Sequence, residues 1–225
     1  MRISSAICAI AFLSLTPNAQ AESMPSNAEK ILSEIFPSMQ IRSTTMGDLD
    51  GDGISDIATV LAGTSAGEHA QQIVVLQGVQ PGQYQLWSRS NPFAELRKGG
   101  PDLEIRKGSI FLYYRDVTCC AAGYRHLQFK FNGQQFRLIG VRVGETSTRE
   151  EDDFERDVSF NVITGDKVET KRVGKQKKQI KTKIPTKESQ ALDEFGMDLA
   201  SWIEDAIQFD IKDDFGAWAP LPREK

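Results

Sequence analysis

The chain has little cysteine, little histidine and no excess of positive charge. Only three cysteines and two histidines occur in 225 residues, and 31 acidic side chains outnumber 27 basic ones. A nucleic-acid-binding protein is usually basic overall, so we expect no nucleic-acid partner. The sequence lacks H-E-x-x-H, G-x-S-x-G, P-loop and G-x-G-x-x-G motifs, so the common metalloprotease, hydrolase and nucleotide-binding signatures are missing.

Two of the cysteines, Cys119 and Cys120, are adjacent. Small secreted domains are stapled by spaced cysteines, and this pair has no such spacing. A disulfide between sequence neighbours would be strained because consecutive Cα atoms are about 3.8 Å apart. The sequence leaves open whether this pair forms a strained ring or two thiols.

The first 21 residues have the order of a secretory signal. Arg2 precedes an apolar run from Ala6 to Leu15, and a helix-breaking proline leads to Ala19-Gln-Ala21. The run is about half the length that a bilayer requires, so we expect cleavage after Ala21 and no transmembrane segment. Residues 22–225 are then expected to form a single β-rich domain in the periplasm or outside the cell.

Short β-type segments separated by glycine and proline fill the region from about Met39 to Ile184, and they predict a mainly β protein of the α+β class. Lys107-Gly108, Asn132-Gly133 and Thr164-Gly165 each separate two such segments and predict hairpins. Strands joined by short turns are antiparallel, so we expect a meander. The segments that show the pattern most clearly are Ile54–Leu61, Gln72–Gln77, Gln83–Ser88, Leu103–Arg106, Ser109–Tyr114, Leu127–Phe131, Phe136–Val143, Val158–Val162 and Val168–Val173.

Helices are expected on either side of this region. Ser26-Asn-Ala-Glu29 has the form of a capping box, and apolar residues follow it at helical spacing until Pro37. A second amphipathic helix is predicted near the C-terminus, where an apolar face is formed by Leu199, Trp202, Ile203, Ala206 and Ile207.

Lys171 to Lys183 contains seven basic residues. They fit a pair of exposed edge strands whose lysines discourage sheet-to-sheet pairing, and a polyanion-binding patch is the alternative.

Four aspartates stand at positions 1, 3, 5 and 9 of one segment, and glycines bend the chain between them. The predicted ligands of this loop are the carboxylates of Asp48, Asp50, Asp52 and Asp56 and the carbonyl of Ile54. Carboxylates this close repel one another unless a cation lies among them, and Ca²⁺ accepts six to eight oxygens at about 2.3–2.6 Å. An EF-hand is excluded because its twelfth position falls on Thr59 and the following segment is of β type. An acidic surface turn is the remaining alternative.

The segment from Gly47 to Leu61, GDLDGDGISDIATVL, resembles the calcium loop of FG-GAP/VCBS repeats, which occur in integrin-type β-propellers and in secreted bacterial proteins. The resemblance implies a Ca²⁺ cofactor and a propeller-like sheet. A closed propeller needs repeats, and this motif occurs once, so only a partial, propeller-like meander is expected.

These features predict an exported calcium-binding module that binds a protein or glycan partner, or supports the cell envelope, without catalysis. Two alternatives stay open at this point. One is a periplasmic inhibitor or immunity-type protein, and the other is a polysaccharide or cell-wall hydrolase using acids among Asp102, Glu104 and Asp116.

Overall fold

In the computed structural model, the described residues are 24–63, 70–94, 101–117, 121–147, 154–184 and 191–192. They form one helix and twelve strands: α1 (Ser26–Ile35), β1 (Met39–Gly47), β2 (Asp56–Gly63), β3 (Ala70–Gln80), β4 (Gln83–Arg89), β5 (Phe93–Ala94), β6 (Asp102–Arg106), β7 (Ser109–Val117), β8 (Ala121–Phe131), β9 (Phe136–Ser147), β10 (Phe154–Asn161), β11 (Asp166–Val173) and β12 (Gln176–Lys183). The signal segment, His69, Cys119, Cys120 and the C-terminal helix expected at Leu199–Ile207 lie outside these residues.

The strands form two antiparallel sheets. The five-stranded sheet has the order β1-β2-β3-β4, with the short β5 paired to β3, and the seven-stranded sheet runs β12 to β6 as an unbroken meander. This confirms the predicted mainly β, antiparallel architecture. Within the described residues, neither sheet closes into a barrel or a propeller.

The predicted hairpins are present because their turns contain glycine in the left-handed region. Gly108, Gly133 and Gly165 have φ angles of 66°, 93° and 75°. Asn132 reinforces its turn, since its Oδ1 accepts hydrogen bonds from the backbone N–H groups of Gln134 and Gln135.

A shared core lies between the two sheets. Ala58, Val60, Ile73 and Val75 from the five-stranded sheet belong to the same buried cluster as Ile110, Leu112, Leu127, Phe129, Leu138, Val141, Val158 and Phe160 from the seven-stranded sheet. The two sheets therefore pack face to face.

Helix α1 covers the opposite face of the five-stranded sheet. Ala28, Leu32 and Phe36 pack with the buried side chains Ile57, Leu61, Val74 and Leu76. The sheet is thus covered on both sides, which explains why every residue of β2 from Asp56 to Ala62 is buried.

The predicted capping box is wrong. Pro25 occupies the N-cap position, its carbonyl accepts a hydrogen bond from the N–H of Glu29 at 3.1 Å, and no side chain caps the helix. Ser26 is the first helical residue, so its hydroxyl lies one position too late for the expected exchange with Glu29.

The basic segment forms the β11–β12 hairpin, and only β12 lies at a sheet edge. All eight residues of β12 are exposed, including four lysines. In β11, which pairs on both sides, Lys171 and Arg172 form ion pairs with Glu169 and Glu155. The edge-strand interpretation therefore applies to β12, whereas Lys171 and Arg172 of β11 have partners within the sheet.

At the sheet edges, β6 lies beside β1. The backbone N–H groups of Leu103 and Ile105 donate to the hydroxyls of Ser43 and Thr45, both at 3.3 Å. These bonds satisfy donors of an otherwise unpaired edge, and they fix the turn after β6 next to the loop after β1.

Candidate metal centre

The aspartate loop connects two neighbouring strands of the five-stranded sheet. Gly47 at the end of β1 pairs with Asp56 at the start of β2, so residues 48–55 close a hairpin. Gly51 and Gly53 have φ angles of 87° and 84°, and a Cβ on either would meet nothing within 4 Å. Glycine is therefore needed here for the left-handed backbone and not for space.

Three of the four predicted carboxylates converge. One oxygen each from Asp48, Asp50 and Asp56 lie within 4.8 Å of one another. Oxygens at this separation can bind one Ca²⁺ together, because each would lie about 2.3–2.6 Å from the ion. Asp52 is outside this group, and its exposed side chain accepts a hydrogen bond from the N–H of Ile54 at 2.7 Å.

Backbone and side-chain donors hold Asp48 and Asp50 in place. The two oxygens of Asp48 accept from the N–H groups of Gly51 at 2.6 Å and Gly53 at 3.0 Å. Asp50 accepts from Gln77 Nε2 at 2.9 Å, which links the loop to β3. Each carboxylate oxygen has two lone pairs, so these bonds orient the group and still leave capacity for a cation.

Asp56 is fully buried and anchors the end of the loop. Its two oxygens accept from the N–H groups of Leu49 at 2.8 Å and Gly78 at 2.9 Å. Burial raises the pKa of Asp56, the two backbone hydrogen bonds oppose this, and the negative charges of Asp50 and Asp52 raise the pKa further. A cation among these carboxylates would favour the ionised form of Asp56.

The donor set fits calcium in its chemistry, since all the converging ligand atoms are carboxylate oxygens, which hard cations prefer. That the carbonyl of Ile54 and the carboxylate of Asp52 also bind the ion stays a prediction.

Some residues that shape the loop were missed by sequence reasoning, because they act from distant positions. Gly78 lies so close to the loop that a Cβ there would be 2.6 Å from the carbonyl oxygen of Ser55. Leu49 is buried in the shared core, and a Cβ on Gly108 would lie 3.6 Å from its carbonyl oxygen. The loop therefore packs against β3 on one side and against the β6–β7 turn on the other.

The residues considered for a hydrolase are arranged differently. Glu104 accepts a hydrogen bond from the hydroxyl of Tyr113 at 2.5 Å and lies 3.7 Å from Arg106, whereas Asp102 is exposed. The side chain of Asp116 lies outside the described part of the structure. Glu104 thus has partners of its own on β6 and β7.

His126 lies on the face of the seven-stranded sheet that points away from the shared core, which we call the outer face. Its ring contacts those of Tyr113 and Tyr124, with centroid distances of 4.7 and 4.9 Å. Burial lowers the pKa of His126 and the charge of Arg142 lowers it further, whereas Asp157 opposes this. The surroundings of His126 therefore favour its neutral form.

None of the described helices has the length and apolar composition needed to cross a membrane. Comparisons with models of protein families, with curated proteins and with solved structures found no match.

Proposed function

We propose that this protein is an exported, calcium-binding β-rich module that binds a protein or glycan partner, or supports the cell envelope, without catalysis. The observation that carries the proposal is the convergence of Asp48, Asp50 and Asp56 within 4.8 Å in a glycine-bent loop. The resemblance of this loop to FG-GAP/VCBS calcium loops and the secretory form of the first 21 residues support it.

Calcium would act on stability. In the absence of a cation, burial and the negative charges of Asp50 and Asp52 oppose the ionisation of Asp56. An ion that binds only the folded state at 100 times its dissociation constant adds about 2.7 kcal/mol to the free energy of unfolding. This is a large fraction of the 5–15 kcal/mol typical of a domain.

The outer face supports the binding part of the proposal. Phe111, Tyr113, His126 and Tyr124 form a continuous row of half-buried rings across β7 and β8. Burial together with hydrogen bonds to Glu104 and Asp157 raises the pKa values of Tyr113 and Tyr124 to about 12, so both hydroxyls are protonated at neutral pH. Uncharged rings of this kind are common where a partner stacks on a surface.

The test is thermal unfolding of the chain in calcium and in chelator. We expect calcium to raise the melting temperature of the wild type and to have no effect on Asp50→Ala, because one of the three converging carboxylates is lost. Asp102→Ala, which removes an exposed carboxylate outside the loop, is the matched control and should respond like the wild type.

Magnesium at the same concentration separates a specific site from general screening, because it fills all-protein loops poorly. A melting curve of the wild type that is the same in calcium and in chelator contradicts the proposal. An equal response to calcium and magnesium would show that the loop is only an acidic surface turn.

A further inference from the structure

A surface cavity of about 410 Å³ lies at the β6–β7 turn, on the outer face. Ser109 on β7 pairs with Arg106 and with Lys130, so side chains from three neighbouring strands meet there. The residues that matter for its chemistry are Arg106, Lys107, Ser109, Phe111, Gln128 and Lys130.

The charges around this cavity are mostly positive. Lys107 and Lys130 are exposed, and no carboxylate of the described residues lies within 4.0 Å of either ammonium group. Arg106 lies 3.7 Å from Glu104, which is the one acidic partner of the three cations. The three cations at the cavity outnumber this one carboxylate, and an excess of positive charge suits a phosphate monoester, which carries about −1.5 to −2 at pH 7.

The backbone at Lys107 is unusual. With φ at 52°, it is the one non-glycine residue among those described with a positive φ, and Gly108 follows at 66°. Two successive left-handed residues form a type I′ turn, where asparagine or glycine is favoured at the first position and lysine is not. The strain holds the lysine at the end of the turn that borders the cavity, and strained residues concentrate at functional sites.

The wall of the cavity is organised by side-chain contacts. The guanidinium of Arg106 lies over the ring of Phe111, 4.6 Å from its centroid, which restricts the cation to one position. Gln128 Nε2 donates to the hydroxyl of Ser109 at 3.2 Å, so the floor is polar. The cavity is also several times larger than a phosphate group, and this leaves room for an organic group beside Phe111.

We propose that this cavity binds a phosphate monoester of a small organic molecule. The phosphate interacts with Arg106, Lys107 and Lys130, and a sugar or aromatic ring occupies the remaining space beside Phe111 and Ile139. The proposal uses none of the loop carboxylates, so its failure would leave the calcium proposal standing, and the reverse also holds.

The experiment is isothermal titration calorimetry of the full chain with glucose 6-phosphate and phenyl phosphate, with inorganic phosphate and glucose as reference ligands. We expect saturable binding of at least one monoester, tighter than that of inorganic phosphate, and none of glucose. The tighter of the two monoesters identifies whether a sugar or an aromatic ring occupies the space beside Phe111.

Lys107→Asn and Lys130→Gln should each weaken monoester binding by about ten-fold or more, because each removes a charge-assisted interaction. Asparagine suits the left-handed backbone, so Lys107→Asn should melt no lower than the wild type. Lys175→Asn removes a lysine from the β11–β12 turn, outside the cavity, and should bind like the wild type.

The proposal is overturned if the wild type shows no saturable monoester binding, or if it binds inorganic phosphate equally well. It is also overturned if the Lys107→Asn and Lys130→Gln variants bind as tightly as the wild type. A third contrary result is a Lys175→Asn variant that loses as much affinity as these two. The last result would show that only the general positive charge of the surface had been measured.

Discussion

The two sheets of this protein differ in how much of their surface is covered. The five-stranded sheet packs against α1 on one face and against the seven-stranded sheet on the other, and β2 is buried from Asp56 to Ala62. The seven-stranded sheet is covered on one face, so buried side chains alternate with exposed or half-buried ones along Phe136–Val143 of β9 and Val158–Asn161 of β10, apart from an extra half-buried residue at Gly140. When both faces of a sheet are covered, its loops at the strand ends are the part that solvent and ions reach, and the aspartate loop lies there. A sheet covered once can present side chains along its outer face.

The largest change in the free energy of unfolding is expected when one apolar side chain is replaced in each sheet. Leu76→Ala empties a fully buried position under α1 and should lower the free energy of unfolding by about 2–5 kcal/mol. Ile180→Ala on the exposed edge strand β12 should change it by less than about 0.5 kcal/mol. Urea unfolding measures both. Equal losses would mean that β12 is covered as completely as β3.

A second test concerns the glycines near the end of β3. Gly78→Ala places a Cβ 2.6 Å from the carbonyl oxygen of Ser55 and 2.7 Å from Ile54 Cγ2, and it should cost about 1–3 kcal/mol. Gly82→Ala meets no atom within 4 Å and should cost about 1 kcal/mol through its φ of 76°. Thermal unfolding in calcium separates the two, because only Gly78 donates to Asp56 and only its replacement should reduce the response to calcium. A normal response in Gly78→Ala would show that β3 does not position the loop.

The smallest effect is expected from an ion pair of the seven-stranded sheet. Burial opposes ionisation of Glu169, but Arg156 at 2.8 Å and Lys171 at 3.5 Å lower its pKa below the ordinary 4.5. A carboxyl whose pKa is lowered by folding stabilises the protein above its unfolded pKa, and this contribution is lost as the pH falls through the folded value. Glu169→Gln should therefore reduce the free energy of unfolding by about 1 kcal/mol at pH 7, and by less as the pH approaches 3.

Asp166→Asn is the control for this prediction, because Asp166 and its partner Lys183 are both largely exposed and 3.8 Å apart. It should have almost no effect at either pH. A loss in Glu169→Gln that is independent of pH would show that the residue acts through packing and not through its charge.

The strands were predictable where a turn residue decides the local structure. Gly108, Gly133 and Gly165 allow left-handed turns, and strands of alternating residues on either side pair across them. The division into two sheets was not predictable, since it depends on contacts between residues far apart in the chain. The N-cap was predicted one residue too late because Pro25 can fill that position without any side-chain hydrogen bond.

The candidate site was predictable in the same uneven way. The spacing of the aspartates predicted that four carboxylates converge, and those of Asp48, Asp50 and Asp56 do so, whereas Asp52 lies outside the group. The cavity combines Lys107 with Lys130 from another strand, and only the register between β7 and β8 brings them together. Because Lys107 and Lys130 are far apart in the sequence, no short motif predicts that they meet, and the sequence did not predict the cavity.

The carbonyl of Leu49 faces Gly108, so the aspartate loop lies next to the turn that carries Lys107. Two ligands that bind on either side of a shared contact obey thermodynamic reciprocity. If calcium in the loop tightens the binding of a phosphate monoester by some factor, the monoester must tighten the binding of calcium by the same factor. Such coupling would let the concentration of one solute set the occupancy of the other.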